Sequence, residues 1–121
     1  MKILIIDDNE SLAIMFSRML ELGGHKTIAS NDGRNGLALI QKEKFDVIVL
    51  DLSMPEFSGY DILDALEKDD MMKDKKIIVL TATAITQEQI DRLKKQGVKD
   101  VLKKPIRPDV INEALKNIAG Q

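Results

Sequence analysis

The sequence predicts an α/β fold: a doubly wound, five-stranded parallel sheet with (βα)5 element order and helices on both faces. Three observations carry this expectation. Three short runs, Ile3-Leu4-Ile5-Ile6, Val47-Ile48-Val49-Leu50 and Ile77-Ile78-Val79-Leu80, are apolar at every position, as expected of strands covered on both sides. Segments with apolar residues at helical spacing separate them. A chain of 121 residues with 44% apolar and 31% charged side chains suits one packed core under a charged surface, so residues 1–121 are read as a single domain.

Each element follows in order. The first run is strand one, and Leu12, Phe16, Met19 and Leu20 give the helix after it. Thr27 to Ala29 is a weaker strand that mixes in polar residues, followed by a helical segment around Leu37 and Ile40. The second apolar run is strand three. Ser58 is placed as N-cap of the next helix, with Gly59 allowing close packing or special backbone angles at its start, and Ile62, Leu63 and Leu66 form that helix's apolar stripe. Lys68 to Lys76, rich in both charges, reads as a solvated loop before strand four, the third apolar run. Ile90 and Leu93 mark a fourth helix, and Val98 to Leu102 a second weak strand. Val110, Ile111, Ala114, Leu115 and Ile118 then form an amphipathic helix ending near Gly120. Crossovers between parallel strands are right-handed. The order 2-1-3-4-5, the flavodoxin-like arrangement, places the two weak strands at the sheet edges.

Composition narrows the function. The formal net charge is −2 and the only aromatics are Phe16, Phe45, Phe57 and Tyr60, so neither a basic footprint nor a stacking platform for nucleic acid is present, and no direct nucleic-acid binding is expected. The absence of cysteine rules out disulfides, thiolate metal sites and a Cys nucleophile, and suits a reducing compartment. No apolar stretch approaches the roughly 20 residues of a membrane span. The expectation is a cytoplasmic protein without signal peptide, anchor or membrane insertion.

In doubly wound sheets ligands bind beyond the carboxyl ends of the strands. Asp7, Asp8, Asn9 and Glu10 follow strand one, Asp51 strand three, Thr81 strand four, and Lys103, Lys104 and Pro105 strand five. Each has a plain structural reading: Asp7 or Asp8 as a helix cap, Asp51 as a loop or cap residue, Thr81 as an ordinary strand end, Lys104 as a solvated charge. Together on one rim they say more, because three aspartates at adjacent strand ends concentrate charge that a cation would relieve. All-oxygen ligands favour Mg²⁺.

The pattern Ile5-Ile6-Asp7-Asp8-Asn9, Leu50-Asp51-Leu52-Ser53-Met54-Pro55-Glu56-Phe57-Ser58-Gly59, Leu80-Thr81-Ala82 and Lys103-Lys104-Pro105 resembles the receiver domain of two-component response regulators from end to end. The resemblance implies Asp51 as phosphoacceptor, with Asp7, Asp8, Asp51 and the main-chain carbonyl of Ser53 as the Mg²⁺ ligands. It implies Thr81 as the switch hydroxyl that moves toward the phosphoryl group and Lys104 as its ammonium partner, with a Lys104-Pro105 bond that is often cis in the family. The implied partners are a histidine kinase or phosphotransfer protein, which donates from phosphohistidine, and a downstream protein whose affinity changes. Such a domain is a signalling module that promotes its own phosphorylation and dephosphorylation, not an enzyme acting on other substrates. His25, the only histidine, reads as structural or solvated.

Two features depart from the family pattern or vary within it. Val101 stands where many receivers carry a rotating Tyr or Phe. Ser53 and Thr83 occupy variable positions that influence how water reaches the phosphoryl group. The methionines Met15, Met19, Met54, Met71 and Met72 suggest either gap filling or an adaptable binding surface. Alternatives remain open: a free-standing regulator, a phosphorelay shuttle or a receiver from a longer protein, and, outside the family, an aspartyl-phosphate phosphatase, a nucleotide carrier or an unphosphorylated scaffold. Ser53 stands where such a phosphatase commonly has a second Asp, and Asp7-Asp8-Asn9-Glu10 would repel a nucleotide phosphate.

Overall fold

The computed structural model describes residues 1–82 and 84–119. It contains strands β1 (Lys2–Ile6), β2 (Lys26–Ser30), β3 (Val47–Asp51), β4 (Ile77–Thr81) and β5 (Asp100–Lys103), with helices α1 (Glu10–Leu22), α2 (Gly33–Lys42), α3 (Gly59–Lys68), α4 (Gln87–Gln96) and α5 (Pro108–Ala119). All strand pairs are parallel and the order is β2-β1-β3-β4-β5, as the placement of the weak strands predicts.

Period-two alternation sends each central strand's side chains to two cores. Leu4, Ile6, Ile48, Leu50, Ile77 and Val79 pack with residues of α2, α3 and α4. Ile3, Ile5, Val47, Val49, Ile78 and Leu80 pack with Ala13 and Leu20 of α1 and with Ile111, Ala114, Leu115 and Ile118 of α5. Burial on both sides explains why the runs 3–6, 47–50 and 77–80 contain no polar residue.

Several local expectations change. In α1 the buried positions are Ala13 and Leu20, while Leu12 is exposed, because the apolar arc of this helix is wider than the sheet can cover. The strand expected from Val98 begins at Asp100, and Val98 is instead a core residue just after Gly97, whose φ of 119° closes α4 in the left-handed conformation. The loop expected over Lys68 to Lys76 carries a 3-10 turn, Met72–Asp74, and Met72 is buried. The methionines divide: Met54 and Met72 fill the core, Met19 and Met71 are half-buried, and Met15 is exposed. Ser58 caps α3 in a reciprocal capping box with Asp61. Thr83 and Gly120 lie outside the described residues.

Candidate functional site

Strand register builds the site. Ile6 pairs with Leu50, so the next residues, Asp7 and Asp51, stand side by side at the ends of β1 and β3. Asp51 pairs with Leu80 and Thr81 with Lys103, which brings the ends of β4 and β5 to the same rim. The backbone N–H of Lys104 donates to the Thr81 carbonyl at 2.9 Å and ties the following loop to β4; the Lys104-Pro105 bond in that loop is cis.

The side chains of Asp7, Asp8, Asp51 and Lys104 converge on this rim. Asp7, Asp51 and Thr81 are buried and Asp8 is exposed. Carboxylate oxygens of Asp7, Asp8 and Asp51 all lie within 4.8 Å of one another. Lys104 Nζ is 2.7 Å from Asp7 Oδ2 and 3.6 Å from Asp51 Oδ1, so the ammonium sits against two of the three carboxylates. The neighbouring Lys103 is exposed.

Neither aspartate caps α1. Asn9 does, its Oδ1 accepting from the Leu12 N–H at 3.1 Å, and its own N–H donates to Asp7 Oδ1 at 3.0 Å. Capping is thus satisfied by a neighbour, and both acids are left for the rim. Ser53 follows Asp51 closely enough for its N–H to reach Asp51 Oδ1 at 3.3 Å. The first turn of α3 presses against this segment: the Gly59 N–H donates to the Leu52 carbonyl at 3.1 Å.

Electrostatics single out Asp51. Burial first, then the charge of Asp7, push its carboxyl up to about 6, against the pull of Lys104 and the Ser53 N–H, with Asp8 adding a further push. The charge balance at the rim therefore lacks positive charge. Hard oxygen donors from three strand-end acids, with one ammonium for three carboxylates, fit a divalent cation such as Mg²⁺.

Removal of the Lys104 ammonium should be felt at Asp51, because Lys104 lowers its pKa. In Lys104→Ala the Asp51 carboxyl is expected to titrate higher than in wild type, whereas Lys103→Ala leaves it unchanged, as carboxyl carbon chemical shifts followed against pH would show. Equal shifts in the two variants would contradict the geometry.

The other signals lie elsewhere. His25 precedes β2, at the opposite end of the sheet, with Nδ1 3.2 Å from the terminal ammonium of Met1; burial first, then that charge, lower its pKa. Val101 pairs with Val79 in register and packs, with Ile85, against the α4-side core. Beside the rim lies a groove of about 440 Å³ walled by Leu12, Met15, Phe16 and Met19 of α1 and by Pro105 and Ile106, with Asp7 and Lys104 also lining it. Sequence reasoning missed this groove, and it missed Asn31, whose Nδ2 donates to the Asp7 carbonyl at 3.1 Å. No periodicity or motif marks either.

The family model described as response regulator receiver domain matches residues 3–116. The chain is 32% identical over 119 residues to the chemotaxis protein CheY of Pseudomonas aeruginosa, covering 98% of this chain and 95% of the relative. It is 29% identical over 118 residues to the polar-differentiation response regulator DivK of Brucella anthropi, with coverage of 98% and 95%. Among solved structures, Vibrio cholerae chemotaxis protein CheY4 superposes with a TM-score of 0.85 at 32% identity over 97% of both chains. The response regulator TrrA of Thermotoga maritima, solved in complex with Mg(2+)-BeF, superposes with a TM-score of 0.81 at 25% identity over 97% of both chains.

Proposed function

The chain belongs to the response regulator receiver domain family, and from that premise we propose that Asp51 accepts a phosphoryl group from a phosphohistidine of a histidine kinase or phosphotransfer protein. The observation that carries this reading is the convergence of Asp7, Asp8, Asp51 and Lys104 on one rim. An Asp51 carboxylate oxygen attacks phosphorus in line, the phosphorus–nitrogen bond breaks, and the imidazole leaves with the electron pair. Register and burial hold Asp51 at the strand end, so little reorganisation precedes attack. Asp7, Asp8, Asp51 and the Ser53 carbonyl would hold Mg²⁺, which when bound offsets the repulsion between carboxylate and phosphoryl oxygens.

Lys104 supplies the second positive charge. In the resting protein it sits on Asp7, and a cation taken up by Asp7 would relax that pairing and leave the ammonium for the phosphoryl oxygens. The acyl phosphate carries about −1.5 to −2 charge, by analogy with other phosphorylated side chains, where the carboxylate carried at most −1. Thr81 and Lys104 meet it, and because they begin the loops to α4 and α5, the new charge biases a surface one helix away and changes affinity for a downstream protein. The apolar groove between α1 and Pro105–Ile106 supports docking of the donor next to Asp51. We take residues 1–121 as one such domain, a signalling module with Mg²⁺ as its cofactor. No helix of the described residues is long and apolar enough to cross a membrane, which agrees with a cytoplasmic location.

Incubation with acetyl phosphate and Mg²⁺ should add one hydroxylamine-labile phosphoryl group by intact mass, and chelator should prevent it. Asp8→Asn should bind Mg²⁺ about tenfold more weakly in a calorimetric titration, since one of the carboxylates that attract the cation is lost. Labelling that persists in chelator, or equal Mg²⁺ affinity in Asp8→Asn, would count against the metal assignment.

A further inference from the structure

The least anchored of the three acids is Asp8, which is exposed while Asp7 and Asp51 are buried. Its direction depends on the peptide that joins it to Asp7. The nitrogen side of Asp7 continues the sheet, its N–H donating to the Ser30 carbonyl at 3.0 Å. In a continued parallel ladder the Asp7 carbonyl would accept from the N–H of Asp32. But β2 ends at Ser30, and Asp32 instead caps α2, its side chain accepting from the Asn35 N–H at 2.7 Å. The donor that reaches the Asp7 carbonyl is the side-chain amide of Asn31, at 3.1 Å. Asn31 thus replaces a missing rung of the ladder.

We infer that Asn31 is a positioning residue for cation binding: by fixing the plane of the Asp7–Asp8 peptide it aims the Asp8 carboxylate at the rim. The peptide is planar, so a donor held on its oxygen sets the orientation of the whole unit, including the Asp8 N–H and the bond leading to the Asp8 Cα. Groups that hold a ligand without touching the metal commonly govern affinity in this way. The loop that carries Asn31 is itself braced: Ser30 Oγ donates to the Asp32 carbonyl at 3.1 Å and accepts from Asn35 Nδ2 at 2.9 Å. Those bonds belong to the loop and do not reach Asp7. Asn31 is the residue through which the β2–α2 connection touches the acid pair.

The inference rests on the metal-assisted reading of the site, and its test separates the two. Mg²⁺ affinity by calorimetry and the ¹⁵N order parameter of the Asp8 amide in metal-free protein are compared in wild type, Asn31→Ala and Asn35→Ala. Asn31→Ala is expected to bind Mg²⁺ about tenfold more weakly, and its Asp8 order parameter to fall from about 0.85 toward about 0.6. Asn35→Ala, which loosens the same loop without removing the donor to Asp7, should match wild type in both. Unchanged affinity and order in Asn31→Ala, or equal losses in the two variants, would overturn the proposal. If wild type itself fails to bind Mg²⁺, the proposed function falls, while the Asp8 order parameter still decides whether Asn31 holds the peptide.

Discussion

Asp51→Asn is expected to abolish phosphorylation and, without Mg²⁺, to make the protein more stable. The first effect follows from the chemistry: Asn has the volume of Asp but lacks the anionic oxygen that attacks phosphorus, so labelling by acetyl phosphate should fall below detection. The second follows from linkage. The folded-state pKa of Asp51 is raised from 3.8 to about 6, so the folded protein holds a proton more tightly than the unfolded chain. That contribution is fully present below about pH 4 and is lost as pH rises through about 6. At pH 7.5 the ionised carboxylate therefore costs up to about 3 kcal/mol relative to a neutral isostere, reduced by solvent screening at the open rim. In chelator, the melting temperature of Asp51→Asn should exceed that of wild type by several degrees at pH 7.5, and the gap should close near pH 4. A variant less stable than wild type at pH 7.5 would show that the rim is not short of positive charge, and full labelling of it would remove Asp51 as the acceptor.

Gly59→Ala is expected to destabilise the fold by about 2–3 kcal/mol and to slow labelling of Asp51 by about tenfold or more. A Cβ at this position would lie 2.5 Å from the Asp51 carbonyl oxygen and 2.8 Å from the Leu52 Cα. Both are backbone atoms, so no rotamer change relieves the clash; α3 or the end of β3 must move. Alanine's better helix propensity returns about 1 kcal/mol at most. The cost should appear as a lower midpoint in urea with the slope unchanged. The rate should fall because the residue pushed is the phosphoacceptor itself. Wild-type values for both would show that the close approach of α3 to β3 has no role in holding Asp51.

Much of this was legible beforehand because each central strand and the polar residue that follows it are adjacent in sequence. Ile3 to Ile6, Val47 to Leu50 and Ile77 to Leu80 are buried on both sides and can contain nothing polar, and the first polar residues after them are the site. The edge strands were harder. β5 shares its segment with Val98, an apolar residue that belongs to the core beneath α4 rather than to the strand, and a run of residues does not reveal which neighbours cover it. Likewise Leu12 and Ala13 compete for the core from adjacent positions on α1, and the sheet buries the smaller one.

The sequence by itself determined the alternation of elements, the edge position of the weak strands and the candidate residues Asp7, Asp8, Asp51, Thr81 and Lys104, because periodicity and motif spacing are properties of the chain. Only the tertiary structure decided which acid Lys104 pairs with, that α1 leaves a groove open beside the rim, and that Asn31 closes the ladder on Asp7. Those outcomes depend on distances between residues up to 97 positions apart. Such distances are set when two cores pack against the sheet, and no local pattern encodes them.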